Sequence, residues 1–111
     1  MSMADNTYVD NTYNGWTNWE TWIVIVWMDN DQKLYEYYGD ITREEISKDK
    51  QSATYKLSTT LREQFDEGTP GIEGLYLDLL NGAMREINWH EIARHLVERI
   101  EEEENYAKQV N

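Results

Sequence analysis

Residues 17–28 read TNWETWIVIVWM, a segment whose apolar run suits either a buried strand or a helix. Its β-branched residues favour the strand. Thr17 and Glu20, however, have the spacing of a capping box, in which two side chains bond free amides at a helix start. The run also stops at Asp29-Asn-Asp31, as a helix would. We therefore expect a helix that is apolar on nearly all sides and central to the core. Its tryptophans, Trp19, Trp22 and Trp27, are expected inside that core.

Two further helices are expected between residues 31 and 68. The first covers residues 31–38 and stops at Gly39, since glycine commonly ends helices. The second begins at Thr42, which forms another capping box with Glu45. Its apolar face continues from Ile46 to Phe65, with a candidate break at residues 48–50. The only proline of the chain, within residues 69–71, ends it.

The C-terminal part predicts two more helices. Apolar residues at helical spacing run through residues 72–87. Asn88 and Glu91 resemble a third capping box, which opens a last helix that ends in the acidic run 101–104. Short connections between helices indicate a small orthogonal bundle of about five helices, so the fold class is all-α.

The length of 111 residues suits one domain. Residues 1–13 repeat Asp-Asn-Thr-Tyr at 5–8 and 10–13, a polar composition that predicts a flexible N-terminal arm. We expect a single helical domain over residues 14–105 and a tail over residues 106–111.

Twenty-two acidic residues face ten basic ones, which gives a formal net charge of -12 and a pI near 4.4. Seven acids and one base lie in residues 1–42, and five acids and one base lie in residues 98–105. Such a chain repels nucleic acid and anionic membranes and attracts basic surfaces. Simple solubility would not need charge concentrated at both ends of the chain.

Several classes of protein are disfavoured. The chain contains no cysteine, so it has no disulfides and no thiolate metal sites. The N-terminus lacks the features of a signal peptide. The longest apolar stretch, residues 22–28, is far shorter than the roughly 20 residues that cross a bilayer. We expect a protein of the host-cell cytoplasm without membrane contact.

The chain shows no catalytic or cofactor motif. His90 and His95 are five residues apart, about 140° around a helix, and cannot share one metal ion. A calcium loop starting at Asp29 would place Lys33 and Asp40 where ligand oxygens and a bidentate glutamate belong. No phosphate loop or nucleophile elbow is present. We expect no enzyme, no metal and no cofactor.

The acidic residues are the candidate partner-binding site. Two carboxylates four positions apart on a helix are about 6 Å apart along its axis, similar to two base steps of DNA at about 3.4 Å each. Glu36, Asp40 and Glu44 have this spacing, although the expected helix stop at Gly39 would separate them. The candidate residues are Asp29, Asp31, Glu36, Asp40, Glu44 and Glu45, together with Glu101, Glu102, Glu103 and Glu104.

The sequence NGWTNWETW at residues 14–22 resembles the opening of a group of short proteins carried by phages, plasmids and other mobile elements. LYLDLL at 75–80 and EINWHEIA at 86–93 are similar to the C-terminal half of that group, so the resemblance covers most of residues 14–97. Small acidic proteins in that context are often anti-restriction or anti-CRISPR factors, several of which imitate DNA. The resemblance implies an anti-defence role and carries over no functional residue.

These observations predict an anti-CRISPR or related inhibitor that binds a protein with a basic nucleic-acid-binding surface, such as a CRISPR effector, and blocks target DNA. Direct binding to nucleic acid is not expected. The alternative is a small phage or plasmid regulator that binds a host transcription or replication protein. A small-molecule enzyme is the third and weakest hypothesis.

Overall fold

The computed structural model describes residues 12–110, except for the side chain of Val110. Of the expected N-terminal arm, residues 1–11 lie outside the described part. Five helices follow one another: α1 (Trp19–Asn30), α2 (Gln32–Lys48), α3 (Ala53–Glu67), α4 (Leu75–Glu86) and α5 (Trp89–Val110). Residues 12–110 contain no strand beyond one isolated bridge between Tyr13 and Trp16. The prediction of a small all-α bundle with about five helices is confirmed.

The helix at residues 17–28 is confirmed, but its cap lies one residue later than expected. Asn18 is the N-cap, and its Oδ1 accepts hydrogen bonds from the Thr21 amide at 2.9 Å and the Thr21 hydroxyl at 2.7 Å. The Thr17 amide instead donates to the Glu91 carboxylate at 3.0 Å. The capping box of Thr17 with Glu20 was therefore wrong, because Thr17 bonds to the start of α5.

α1 is less buried than its composition predicts. Its buried residues, Thr21, Ile25 and Met28, lie on one face at helical spacing. Trp19 is 48% exposed, Trp27 is 61% exposed and Trp22 is half-buried, so the expectation that all three lie inside the core was wrong. The reason is that α1 packs only against α2, α4 and α5 among the described helices, which leaves one side open.

α2 is one continuous helix where two were expected. Asp31 caps it by accepting a hydrogen bond from the Leu34 amide at 3.1 Å. Gly39 is buried inside the helix, and a Cβ there would lie 2.7 Å from Arg99 Nη2. Thr42 also lies inside the helix, where its hydroxyl donates to the Tyr38 carbonyl at 2.7 Å. Gly39 is thus a packing residue, and the predicted stop there was wrong.

The remaining helix boundaries follow local hydrogen bonds. Asp49, in the turn before α3, accepts bonds from the Ser52 hydroxyl at 2.8 Å and the Gln51 amide at 3.1 Å, and these bonds lower the pKa of its carboxyl. Asn88 accepts a bond from the Glu91 amide at 3.0 Å, which confirms the predicted cap at Asn88. The Glu91 carboxylate does not complete the expected capping box, because it accepts a bond from the Thr17 amide instead. α5 continues to Val110, so residues 106–110 of the expected tail are helical.

The core is centred on α3 and α5, which form the most extensive helix pair. Leu57 and Leu61 of α3 belong to one buried cluster with Ile92 and Leu96 of α5, and all four side chains are completely buried. α2 packs against both helices and against α1. This arrangement leaves α4 at the edge of the bundle, in contact with α1 alone among the described helices.

Truncation of a core side chain tests this arrangement. Leu96→Ala should lower the free energy of unfolding by about 2 to 5 kcal/mol, because it leaves a cavity between α3 and α5. Tyr55→Ala removes a larger side chain that is 71% exposed on α3, and it should change stability by about 0.5 kcal/mol or less. Urea denaturation followed by circular dichroism measures both. Equal losses for the two variants would contradict the assignment of the core.

Candidate protein-binding surface

The continuous α2 helix places three of the predicted carboxylates on one exposed face. Glu36, Asp40 and Glu44 follow each other at four-residue intervals, so neighbours are about 6 Å apart along the axis. The side chains of Asp40 and Glu44 are 79% and 64% exposed, and Glu36 is also exposed. Within the described part of the chain, their only salt bridges are on the surface: Asp40 with Arg43 at 3.0 Å and Glu44 with Lys48 at 3.4 Å. We call these three residues the α2 acidic face.

The structure joins the two acidic blocks that are far apart in sequence. Glu103 of α5 accepts hydrogen bonds from the Tyr35 hydroxyl at 3.1 Å and from Arg43 Nη2 at 3.0 Å. Lys50 lies 3.4 Å from Glu101. These contacts fix the acidic end of α5 beside α2. Glu102 and Glu104 are exposed and form no salt bridge with any residue in the described range.

Other predicted site residues serve the fold. Asp29 lies 3.0 Å from His95 Nε2 and 3.8 Å from Arg99 Nη1. Asp31 caps α2, and Glu45, whose side chain is only 14% exposed, lies 3.6 Å from Lys48. These three carboxylates already contact groups of the same chain. The surface open to a partner is therefore narrower than the sequence predicts: Glu36, Asp40, Glu44, Glu102 and Glu104.

Arg99 is a buried charged residue at the contact between α2 and α5, the two helices that carry this acidic surface. Its side chain is only 12% exposed, and its guanidinium lies 3.8 Å from the centroid of the Tyr35 ring. Nη2 donates to the Tyr35 carbonyl at 3.1 Å, whereas the buried Nε and Nη1 have no hydrogen-bond partner among residues 12–110. The carboxylates of Asp29, at 3.8 Å, and Glu103, at 3.9 Å, compensate the buried charge.

Sequence reasoning missed Arg99, although a signal was present. The residues at 92, 96, 99 and 103 recur at intervals of four, three and four, which is the spacing of one helix face. An arginine on the apolar face of α5 therefore needed a partner. The glycine in α2 that makes room for it, Gly39, was instead taken as a helix stop.

An open groove of about 960 Å³ lies between α3 and the junction of α4 with α5. Its charged and titratable lining consists of Tyr55, Arg62, Asp66, Arg85, Glu86 and His90. The two arginines and two carboxylates balance, so the groove does not select ligands by net charge. Sequence reasoning missed this groove because its walls come from segments that are distant in the chain.

Metal binding has no visible basis in the described range. No group of three or more His, Cys, Asp or Glu residues within residues 12–110 could hold a metal ion. His90 lines the groove, whereas His95 contacts Asp29 and the Trp16 ring.

No helix within the described range combines the length and apolar character that crossing a membrane requires.

A family model described as a family of unknown function, DUF7249, matches residues 9–109. The chain belongs to this family. No curated protein and no solved structure matches the chain. Membership of DUF7249 supplies no activity, so the function of this family member must be inferred from the chemistry of its surfaces.

Two neighbouring glutamates of this DUF7249 chain should differ in their effect on stability. Glu103→Gln should lower the free energy of unfolding by about 1 to 3 kcal/mol, because it weakens bonds to charged partners and leaves the buried Arg99 less compensated. Glu102→Gln makes the same chemical change at an exposed residue and should have almost no effect.

Thermal unfolding at low salt compares the two variants directly. Each variant loses one carboxylate, so the two mutant proteins have the same net charge. If Glu102→Gln lowered the melting temperature as much as Glu103→Gln, the link between α2 and α5 through Glu103 would be contradicted.

Proposed function

We propose that this protein is an anti-defence inhibitor of the anti-CRISPR type, which binds the nucleic-acid-binding surface of a CRISPR effector and blocks target DNA. The observation that carries the proposal is the α2 acidic face. Glu36, Asp40 and Glu44 project from one uninterrupted helix, where carboxylates can stand in for phosphates.

The spacing of the carboxylates supports competition with DNA. Successive carboxylates of the α2 acidic face rise by about 6 Å, and phosphates two steps apart on one DNA strand rise by about 6.8 Å. Lysines and arginines that bind alternate phosphates would meet a carboxylate at similar intervals. As with DNA, binding would release counterions and lose strength as salt rises.

Charge outside this face supports the same partner. The net charge of -12 would steer the chain toward a basic groove. Glu103 fixes the end of α5 beside α2, so Glu102 and Glu104 extend the acidic surface. Direct binding of nucleic acid by such a surface would be opposed by repulsion between like charges.

Charge reversal on α2 tests the mechanism. The triple variant Glu36→Lys, Asp40→Lys and Glu44→Lys should lose inhibition and keep its helical circular dichroism, because all three side chains are exposed. The matched control is Glu63→Lys, Glu67→Lys and Glu73→Lys. These three glutamates are also exposed, so the control makes an equal change of net charge away from α2. It should remain an inhibitor.

Asp29 and Asp31 are left out of this test because their reversal would damage the fold. Reversal of Glu102 and Glu104 should have a smaller effect than reversal of the α2 acidic face. If the α2 triple variant still inhibited like the unaltered protein, carboxylate mimicry by this face would be wrong.

Salt dependence gives an independent measurement. Affinity for the effector should fall roughly 40- to 150-fold between 50 and 200 mM salt, if about three to four ion pairs carry the binding. Filter binding should show that the protein and target DNA exclude each other on the effector. Salt-independent binding that still permits DNA loading would contradict competition.

A plaque assay separates this proposal from the alternative of a host regulator. The protein should restore phage growth on a CRISPR-defended host and have no effect on an otherwise identical undefended host. An equal effect on both hosts would instead support binding to a transcription or replication protein.

A further inference from the structure

α4 leaves most of its apolar surface uncovered. None of its twelve residues is buried, and α1 is the only described helix that it contacts. Leu75 is 70% exposed, Tyr76 is 74% exposed and Leu79 is 61% exposed. A helix of this length is marginal in water without packing on its apolar face. The exposed apolar side of α4 could therefore be covered by another protein surface.

The exposed side chains form a continuous strip. At about 100° per residue, the apolar positions of α4 span roughly 200° of the helix. Leu77, Leu80 and Met84 occupy one half of this sector and are half-buried. The other half also holds the exposed Glu86. Its apolar residues are Leu75, Tyr76 and Leu79, which are exposed, and Ala83, which is half-buried. We call these four residues the α4 strip.

We propose that the α4 strip pairs with the α4 strip of a second copy of this chain in an antiparallel, two-fold symmetric dimer. This inference rests on α4 alone and does not depend on the proposed anti-defence role. In a two-fold interface the same patch must complement itself. The charges beside the strip meet that requirement.

The charges define how the two helices would align. An antiparallel pair that crosses at Asn81 sets Leu79 of one copy against Ala83 of the other. Residues on the same flank of an antiparallel pair face each other, so Asp78 comes within about one residue of Arg85 of the second copy. In the same register, Tyr76 is level with Glu86 of the second copy along the helix axis, although the two lie on opposite sides of the strip's midline.

These groups are available for such contacts. Asp78 and Arg85 are exposed and form no salt bridge with any residue between 12 and 110, and the Glu86 carboxylate is exposed as well. The backbone carbonyl of Glu86 is engaged by Asn18, but this bond leaves the side chain free. A second copy would place an Arg85 near Asp78 and an Asp78 near Arg85, so each charge gains a partner of opposite sign.

The area agrees with a stable dimer. The exposed parts of the α4 strip and the neighbouring Ile72, which is 37% exposed, amount to roughly 450 Å² of apolar surface per copy. Homodimer interfaces are about 65% apolar, so this area corresponds to a total interface of roughly 1,400 Å². Specific interfaces bury about 1,200 to 2,000 Å².

Charge also favours this surface for self-association. Each copy has a net charge of -12, so two copies repel each other across most orientations. The α4 strip itself carries no charged side chain. Because α4 contacts neither α2 nor α5, a dimer through α4 would leave both acidic surfaces open and make the protein bivalent.

Sedimentation equilibrium at about 100 μM should give a mass twice the 13.2 kDa of one chain. The double variant Leu75→Lys and Leu79→Lys should sediment as one chain and keep its helical spectrum, since both side chains are exposed. The control is Trp27→Lys, which introduces a charge at a 61% exposed apolar side chain outside the strip and should remain dimeric. A single-chain mass for the unaltered protein, or a dimer that survives the leucine double variant, would overturn the proposal.

A charge swap tests the antiparallel alignment. Asp78→Arg and Arg85→Asp should each weaken dimerisation about three- to tenfold, because each replaces two attractive pairs with two repulsive ones. The double variant, Asp78→Arg with Arg85→Asp, should recover the original dissociation constant. If the double variant lost as much binding free energy as the two single variants together, this alignment would be overturned.

Discussion

The burial of the Arg99 guanidinium between α2 and α5 constrains more of this structure than any other contact. A charged group can leave water at acceptable cost only when opposite charges and hydrogen bonds compensate it. Asp29 from the end of α1 and Glu103 from α5 supply the charges, while Tyr35 supplies a ring face and a carbonyl. Three helices are thereby fixed relative to one another around a single side chain.

The same contact explains the shape of the acidic surface. Arg99 reaches α2 only because Gly39 has no side chain in its way, and Gly39 is tolerated in mid-helix because the packing offsets its cost of about 1 kcal/mol. An unbroken α2 then carries Glu36, Asp40 and Glu44 in register along one face. Acids that contact Arg99 and His95 are held within the fold, and acids that face outward remain for a partner.

Local signals in the sequence were sufficient for the number of helices and for the cap at Asn88, because both depend on neighbouring residues. They were insufficient where a distant residue decides the outcome. From sequence alone Gly39 was predicted to end a helix, and only its contact with Arg99 shows that it is a packing residue. Trp27 was predicted to lie in the core, and only the open side of α1 explains its exposure. The acidic candidates were likewise chosen by composition, whereas their division between fold and surface depends on tertiary contacts.

The two proposed surfaces have opposite chemistry and are connected through α1, which packs against both α2 and α4. Electrostatic attraction acts over roughly a Debye length, about 8 Å at physiological salt, and suits the capture of a basic partner. Apolar burial acts only on contact and is nearly independent of salt, so it suits pairing between copies that repel each other at a distance. Separating the two chemistries lets high salt weaken binding to a basic partner while favouring self-association, a contrast that an exclusively acidic surface could not produce.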